Sequence, residues 1–83
     1  MRWITAKGYH LAGYDESPIL TAPDWDSCKQ ACEQLTVVDC KSFDFNHNTK
    51  ACFLSRYDMH GLYLTQSVEF EYTEKCDGMC NDR

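Results

Sequence analysis

The sequence predicts an α+β domain in which one helix packs on an antiparallel sheet and disulfides tie the two together. Three observations lead there. Cys28 and Cys32 lie on one stripe of a helical segment, two aromatic stretches around Cys40 and Cys52 pair as a hairpin, and 68–73 alternates like a third strand. One helix against such strands is an α+β arrangement. Eighty-three residues allow a single domain spanning 1–83, with no room for a second core.

Taken in order, residues 3–14 mix aromatic, glycine and polar positions and read as two short strands bent at Gly8 and Gly13. Asp15-Glu16-Ser17-Pro18 reads as a turn, with Pro18 holding Ser17 extended. A helix is expected over 23–35. Thr21 is its expected cap, Pro23 suits its first turn, and Asp24 and Asp26 favour the positive end of its dipole. Trp25, Cys28, Ala31, Cys32 and Leu35 form its stripe, and the β-branched Thr36-Val37-Val38 disfavours continuation.

Residues 40–45 alternate with a strand's period, 46–49 form a turn, and 51–55 return as the partner strand. Residues 58–64 connect to the last strand, where Val68, Phe70 and Tyr72 are expected inward and Glu69 and Glu71 outward. The tail, Lys75 onward, is polar and loop-like.

Six cysteines in so short a chain point to a disulfide framework, hence to an extracellular or lumenal compartment. A thin core needs such help, because a chain of this size buries only about 60–65% of its unfolded surface. No secretory leader precedes the polar sequence after Ile4. The chain is therefore expected to be an excised domain or mature form, with Met1 added for expression. No run reaches the ~18–20 apolar residues of a membrane span. Net charge is −5, and the eight basic residues are scattered singly, which argues against nucleic acid and against heparin.

Four cysteines define the staple. Cys28 and Cys32 share one helical face, so they point the same way and reach outward to Cys40 and Cys52 at the hairpin. Spacing leaves two pairings open: Cys28–Cys52 with Cys32–Cys40, or the crossed set. Zinc is the rival ligand, with His10, His47 and His60 at hand. Cys40 and Cys52, however, lack the close partner of a zinc knuckle, and a helical pair forms a poor one. Asp44, Asn46 and Asn48 match the start of a calcium loop, but Thr49 replaces its glycine and Ser55 its glutamate. No serine or cysteine sits in a nucleophile motif, so neither catalysis, cofactor nor metal is expected.

Candidate binding residues come from two places. The connection supplies Tyr57, Met59, Leu62 and Tyr63, unusually apolar for a loop, although Leu62 and Leu64 also suit a loop folded back onto the core. The hairpin turn supplies His47 and Lys50, and the face bearing Glu69 and Glu71 is a third option.

These motifs together resemble the PAN/apple family of extracellular modules. The resemblance rests on Cys28-x3-Cys32 on a helix, Cys40-Lys41-Ser42-Phe43-Asp44-Phe45, Cys52-Phe53-Leu54-Ser55, and an aromatic strand ending at Cys76. It covers about 9–76, leaving 77–83 as a tail. The entry Tyr9-His10-Leu11 and exit Phe70-Glu71-Tyr72 are most similar to the PAN modules of invertebrate matrix proteins.

The resemblance implies a helix cradled by a curved antiparallel sheet, with Cys28–Cys52 and Cys32–Cys40 joining helix to hairpin. It implies a non-catalytic module of a larger secreted or matrix protein that binds a protein or a carbohydrate. Apple domains carry a further cysteine near their start, which is absent here. Cys76 is left to pair with Cys80 across Asp77-Gly78-Met79 or with another chain. The second option makes the domain an assembly element or homo-oligomer, and a stand-alone secreted antagonist or effector is a further alternative.

Overall fold

A computed structural model describes residues 2–11, 20–36, 39–57 and 64–76. Within them run β1 (Arg2–His10), β2 (Leu20–Thr21), α1 (Trp25–Gln34), β3 (Ser42–Asn46), β4 (Ala51–Ser55) and β5 (Thr65–Cys76). The strands form one antiparallel sheet in the order β1-β5-β3-β4-β2, so the first and last long strands pair beside the central hairpin. This is the α+β arrangement expected: one helix on a curved antiparallel sheet.

α1 begins two residues later than the sequence suggests, and its cap lies three residues later. Asp24, not Thr21, is its cap: the Asp24 backbone is extended, and its carboxylate accepts from Ser27 N at 2.8 Å. Thr21 instead pairs with Ala51 as part of β2. The helix ends where Leu35 turns extended. Its buried residues are Cys28 and Cys32, both fully enclosed. Cys28 is bonded to Cys52 of β4 and Cys32 to Cys40 just before β3, with Cα–Cα distances of 5.7 and 5.4 Å. Around these bonds Ala22, Phe43, Phe45 and Leu54 complete the apolar core, with Trp3, Trp25 and Leu35 at its margin.

β3 is the middle strand, and all five of its residues are buried. Alternation puts Phe43 and Phe45 on the helix side and Ser42 and Asp44 on the other. A buried carboxylate needs donors, and Asp44 receives the Leu11 amide on both oxygens, at 3.1 and 3.2 Å. Leu11 is itself buried and covers part of that second face. Ser42 Oγ donates to the Tyr57 carbonyl there.

Three expectations need correcting. Residues 2–10 form one strand rather than two, because Gly8 takes φ +84° and absorbs a register change without ending the pairing. β5 runs through Cys76, so Lys75 and Cys76 belong to a strand paired with Trp3 and Arg2. The third concerns the faces of β5. The register against β1 passes from Lys7↔Glu71 to Tyr9↔Gln66, so β5 carries extra residues at 67–69. Val68 lies in this bulge and is 86% exposed, whereas Glu71 beyond it is buried. Tyr72 is buried as expected, on the face away from the helix. The bend at Gly13, the turn at 15–18, and Val37 and Val38 lie outside the described residues.

Candidate functional site

Five side chains from four elements converge on the helix side of β1 and β5. Glu71 stands opposite Phe45 in the β3–β5 ladder, which directs it toward the helix side. Its Oε2 accepts from Thr5 Oγ1 at 2.8 Å, and its Oε1 from His47 Nε2 at 2.9 Å. The carboxylate can only accept, and that fixes the polarity of the whole chain. Thr5 has one hydroxyl proton and shares it between two acceptors, Glu71 Oε2 and the Tyr72 carbonyl at 3.0 Å, so in the 3.1 Å contact between Thr5 Oγ1 and Thr73 Oγ1 it is Thr73 that donates. Thr73 in turn accepts from Trp25 Nε1 at 2.9 Å. A directed relay therefore runs from the Trp25 indole through two threonine hydroxyls to Glu71, which His47 approaches from the other side. Such a chain polarises its members in one sense and holds each in a single orientation.

Local sequence builds the exposed end. Asn46 Oδ1 accepts from the amides of Asn48 and Thr49 at 2.8 and 2.9 Å, closing the turn. Lys50 leaves the turn at φ +66°, a left-handed conformation that glycine would adopt without strain. That conformation accompanies an amide–carbonyl bond from Ala22 to Lys50 at 2.9 Å. It also sets the Lys50 ammonium 6.0 Å from the Phe45 ring centroid. His47 packs edge-on against the same ring at 4.9 Å. The imidazole is therefore held by Phe45 and Glu71 while its side chain stays 48% exposed.

A family model described as PAN domain matches residues 2–83. The chain belongs to the PAN domain family. The family comprises protein- and carbohydrate-binding modules, generally non-catalytic, that occur in extracellular proteins. A comparison with curated proteins finds no match to this PAN domain. No helix among the described residues is long and apolar enough to cross a membrane. Among the same residues no group of three or more His, Cys, Asp or Glu is arranged to hold a metal ion.

The PAN domain does not gather its sequence-predicted candidates onto one surface. His47 and Lys50 share the β3–β4 turn, whereas exposed Tyr57 lies past the opposite end of β4, roughly 17 Å away for a five-residue strand. Met59, Leu62 and Tyr63 lie outside the described residues. Glu69 and Glu71 do not form an outward acidic face, because Glu71 is enclosed by Thr5 and His47.

Sequence reasoning missed Thr5, Thr73 and the indole N–H of Trp25. Their partners lie 48 to 68 residues away along the chain, so no local pattern announces them. The available signal was Glu71 itself, a charged residue in a strand that pairs beside the central hairpin.

Proposed function

We propose that this PAN domain is a non-catalytic extracellular module that binds a protein or carbohydrate ligand at the β3–β4 turn. His47 and Lys50 are the contact residues, and Glu71 positions the imidazole. One observation carries the reading: His47 is half exposed yet fixed on two sides, by Glu71 at 2.9 Å and by the Phe45 ring. A surface donor held in one orientation loses little freedom on binding, and preorganisation of this kind is what ligand sites use. The relay behind it orders groups around a carboxylate and supplies no activated nucleophile, which favours recognition over chemistry.

The sixth cysteine bears on the assembly alternative. Cys76 is disulfide-bonded, with a partner outside the described residues. Cys28, Cys32, Cys40 and Cys52 are already joined in pairs. We assign Cys80 as that partner, which leaves no thiol for covalent assembly. Non-reducing peptide mapping tests the assignment, and a Cys76 peptide joined to a second chain would overturn it.

The binding reading is tested on an array of neutral and acidic glycans and on a random peptide library, with wild type beside a H47A/K50A double variant. Ligands selected by wild type should bind the double variant at least about tenfold more weakly, with a cooperative unfolding transition retained and a modestly lower melting temperature, since Glu71 loses one of its two donors and Ala keeps the left-handed backbone at position 50. Equal binding by a folded double variant would remove the turn from the ligand surface.

A further inference from the structure

We propose that the helix side of β1 and β5 binds a uronate-bearing glycan, with Trp3 and Lys75 forming one subsite and Trp25 and Lys29 the other. In the β1–β5 ladder Trp3 stands opposite Lys75, and Thr5 opposite Thr73. Thr73 accepts from the Trp25 indole, which places this row of side chains on the helix side. α1 is bonded to β4 and to the segment before β3, and it stands beside β1 and β5 rather than over them. Thr5 and Lys7 on that floor are exposed, and Trp3, Trp25, Lys29 and Lys75 are each partly exposed.

Each subsite has the same two parts. The Lys75 ammonium lies 5.8 Å from the Trp3 ring centroid, and the Lys29 ammonium 5.6 Å from that of Trp25. Both indoles pack on Phe43, at 5.8 and 5.7 Å, so the two subsites are neighbours across one ring. Neither lysine forms an ion pair among the described residues, although the chain has 13 acidic residues to eight basic ones. Glu71, the acid on the same floor, is engaged by Thr5 and His47. Cations steadied by rings and left without a counter-charge favour an anionic ligand.

The pairing of indole with ammonium selects the occupant. A uronate ring carries an apolar C–H face and a carboxylate in one rigid unit, so a single ring meets both parts of a subsite. An acidic peptide needs two side chains for the same work and loses the rotamer freedom of both. Two like subsites side by side suit a glycan in which uronates recur. Charge density points the same way. In a chain of net charge −5, two ammoniums with Lys7 nearby suit a sparsely charged glycan and not a densely sulfated one. The site uses neither His47 nor Lys50, so it stands or falls apart from the turn.

The test titrates the oxidised domain with a short oligosaccharide of glucuronate and follows tryptophan emission, because Trp3 and Trp25 are the chain's only tryptophans. A carboxyl-reduced copy of the same oligosaccharide and a Glu-Leu peptide of equal charge are the controls. The glucuronate oligosaccharide should shift the emission and bind at least about tenfold more tightly than either control. Lys29→Gln and Lys75→Gln remove the charges and keep much of each stem. The K29Q/K75Q double variant should unfold cooperatively and bind at least about tenfold more weakly than wild type. H47A/K50A should keep wild-type affinity for this ligand, which separates the face from the turn. Four results would overturn the proposal: no binding of the glucuronate oligosaccharide, equal binding of its reduced copy, tighter binding of the peptide, or undiminished binding by K29Q/K75Q. Binding lost in H47A/K50A and kept in K29Q/K75Q would overturn it while leaving the turn reading intact.

Discussion

The two halves of the sheet are held together by different physics. On the β2–β4–β3 side two disulfides and an apolar cluster centred on Phe43 and Phe45 fix the helix to the hairpin. On the β1–β5 side the described contacts are a ladder and a polar relay through Thr5, Thr73 and Glu71, with ring contacts from Trp3 to Phe43 and from His10 to Phe70. The Trp25 indole joins the halves, packing 5.7 Å from Phe43 on one side and donating to Thr73 on the other. A covalent half can carry most of the stability, which frees the polar half to hold donors that a self-sufficient core would exclude.

The largest expected effect breaks the stapled half. Cys28 and Cys52 are 24 residues apart and Cys32 and Cys40 eight. Loop-closure entropy then assigns about 3.5 kcal/mol to the first bond and about 2.6 to the second. Urea unfolding of C28A/C52A and C32A/C40A should show the first double variant less stable. The reverse order would mean that strain or residual structure, rather than loop length, sets the contribution.

Next in size is the junction. Thr73 is fully buried, and Thr73→Val leaves the Trp25 N–H without its acceptor and Thr5 without its donor. A loss of about 1–3 kcal/mol is expected for a buried group left unpaired, with a change in tryptophan fluorescence. Thr73→Ser should recover most of it. A silent Thr73→Val would mean the relay does not couple the halves.

The turn gives a smaller change of opposite sign. Lys50→Gly relieves a left-handed backbone and should stabilise by about 1 kcal/mol. The same variant loses the ammonium over Phe45 and should bind ligand more weakly. A gain in melting temperature with undiminished binding would remove Lys50 from the site while leaving the strain argument intact.

The same division decides how much the sequence revealed. α1, β3 and β4 were legible because their signals are local: a stripe from Trp25 to Leu35, alternation from Ser42 to Phe45, and a turn of Asn and Thr between strands. His47 and Lys50 were legible for the same reason, as polar residues of a short turn. The β1–β5 half was not. Its register is set between residues more than 50 apart, the bulge at 67–69 leaves Val68 exposed, and the sheet is covered on both faces beyond it, so that Glu71 is buried as well as Tyr72. Glu71 reads as a solvent-facing charge until Thr5 and His47 are brought to it. The helix cap was displaced by three residues because Thr21 and Asp24 are both good caps, and the pairing of Thr21 with Ala51 decided between them.

The smallest expected effect lies at that cap, on the edge of the stapled half. The Ser27 backbone amide, helped by the Ser27 side chain and by Lys50, holds the Asp24 carboxyl below its ordinary value of 3.8. A carboxyl depressed in the folded state adds stability that is fully present above its unfolded value and is lost as pH falls through the folded one. Wild type should therefore shed this contribution as pH falls below about 4. Asn caps a helix about as well as Asp but does not titrate. Asp24→Asn should match wild type closely at neutral pH, apart from a small loss of attraction to the helix dipole and Lys50. In acid it should become relatively more stable, giving a shallower fall in melting temperature with pH. Parallel acid limbs for the two proteins would show that folding does not lower the Asp24 carboxyl below its unfolded value. A larger gap at neutral pH than in acid would have the same origin but would assign more of it to the Lys50 charge. Lys50→Gly in the Asp24→Asn background separates these, because it removes that charge from a cap that no longer titrates.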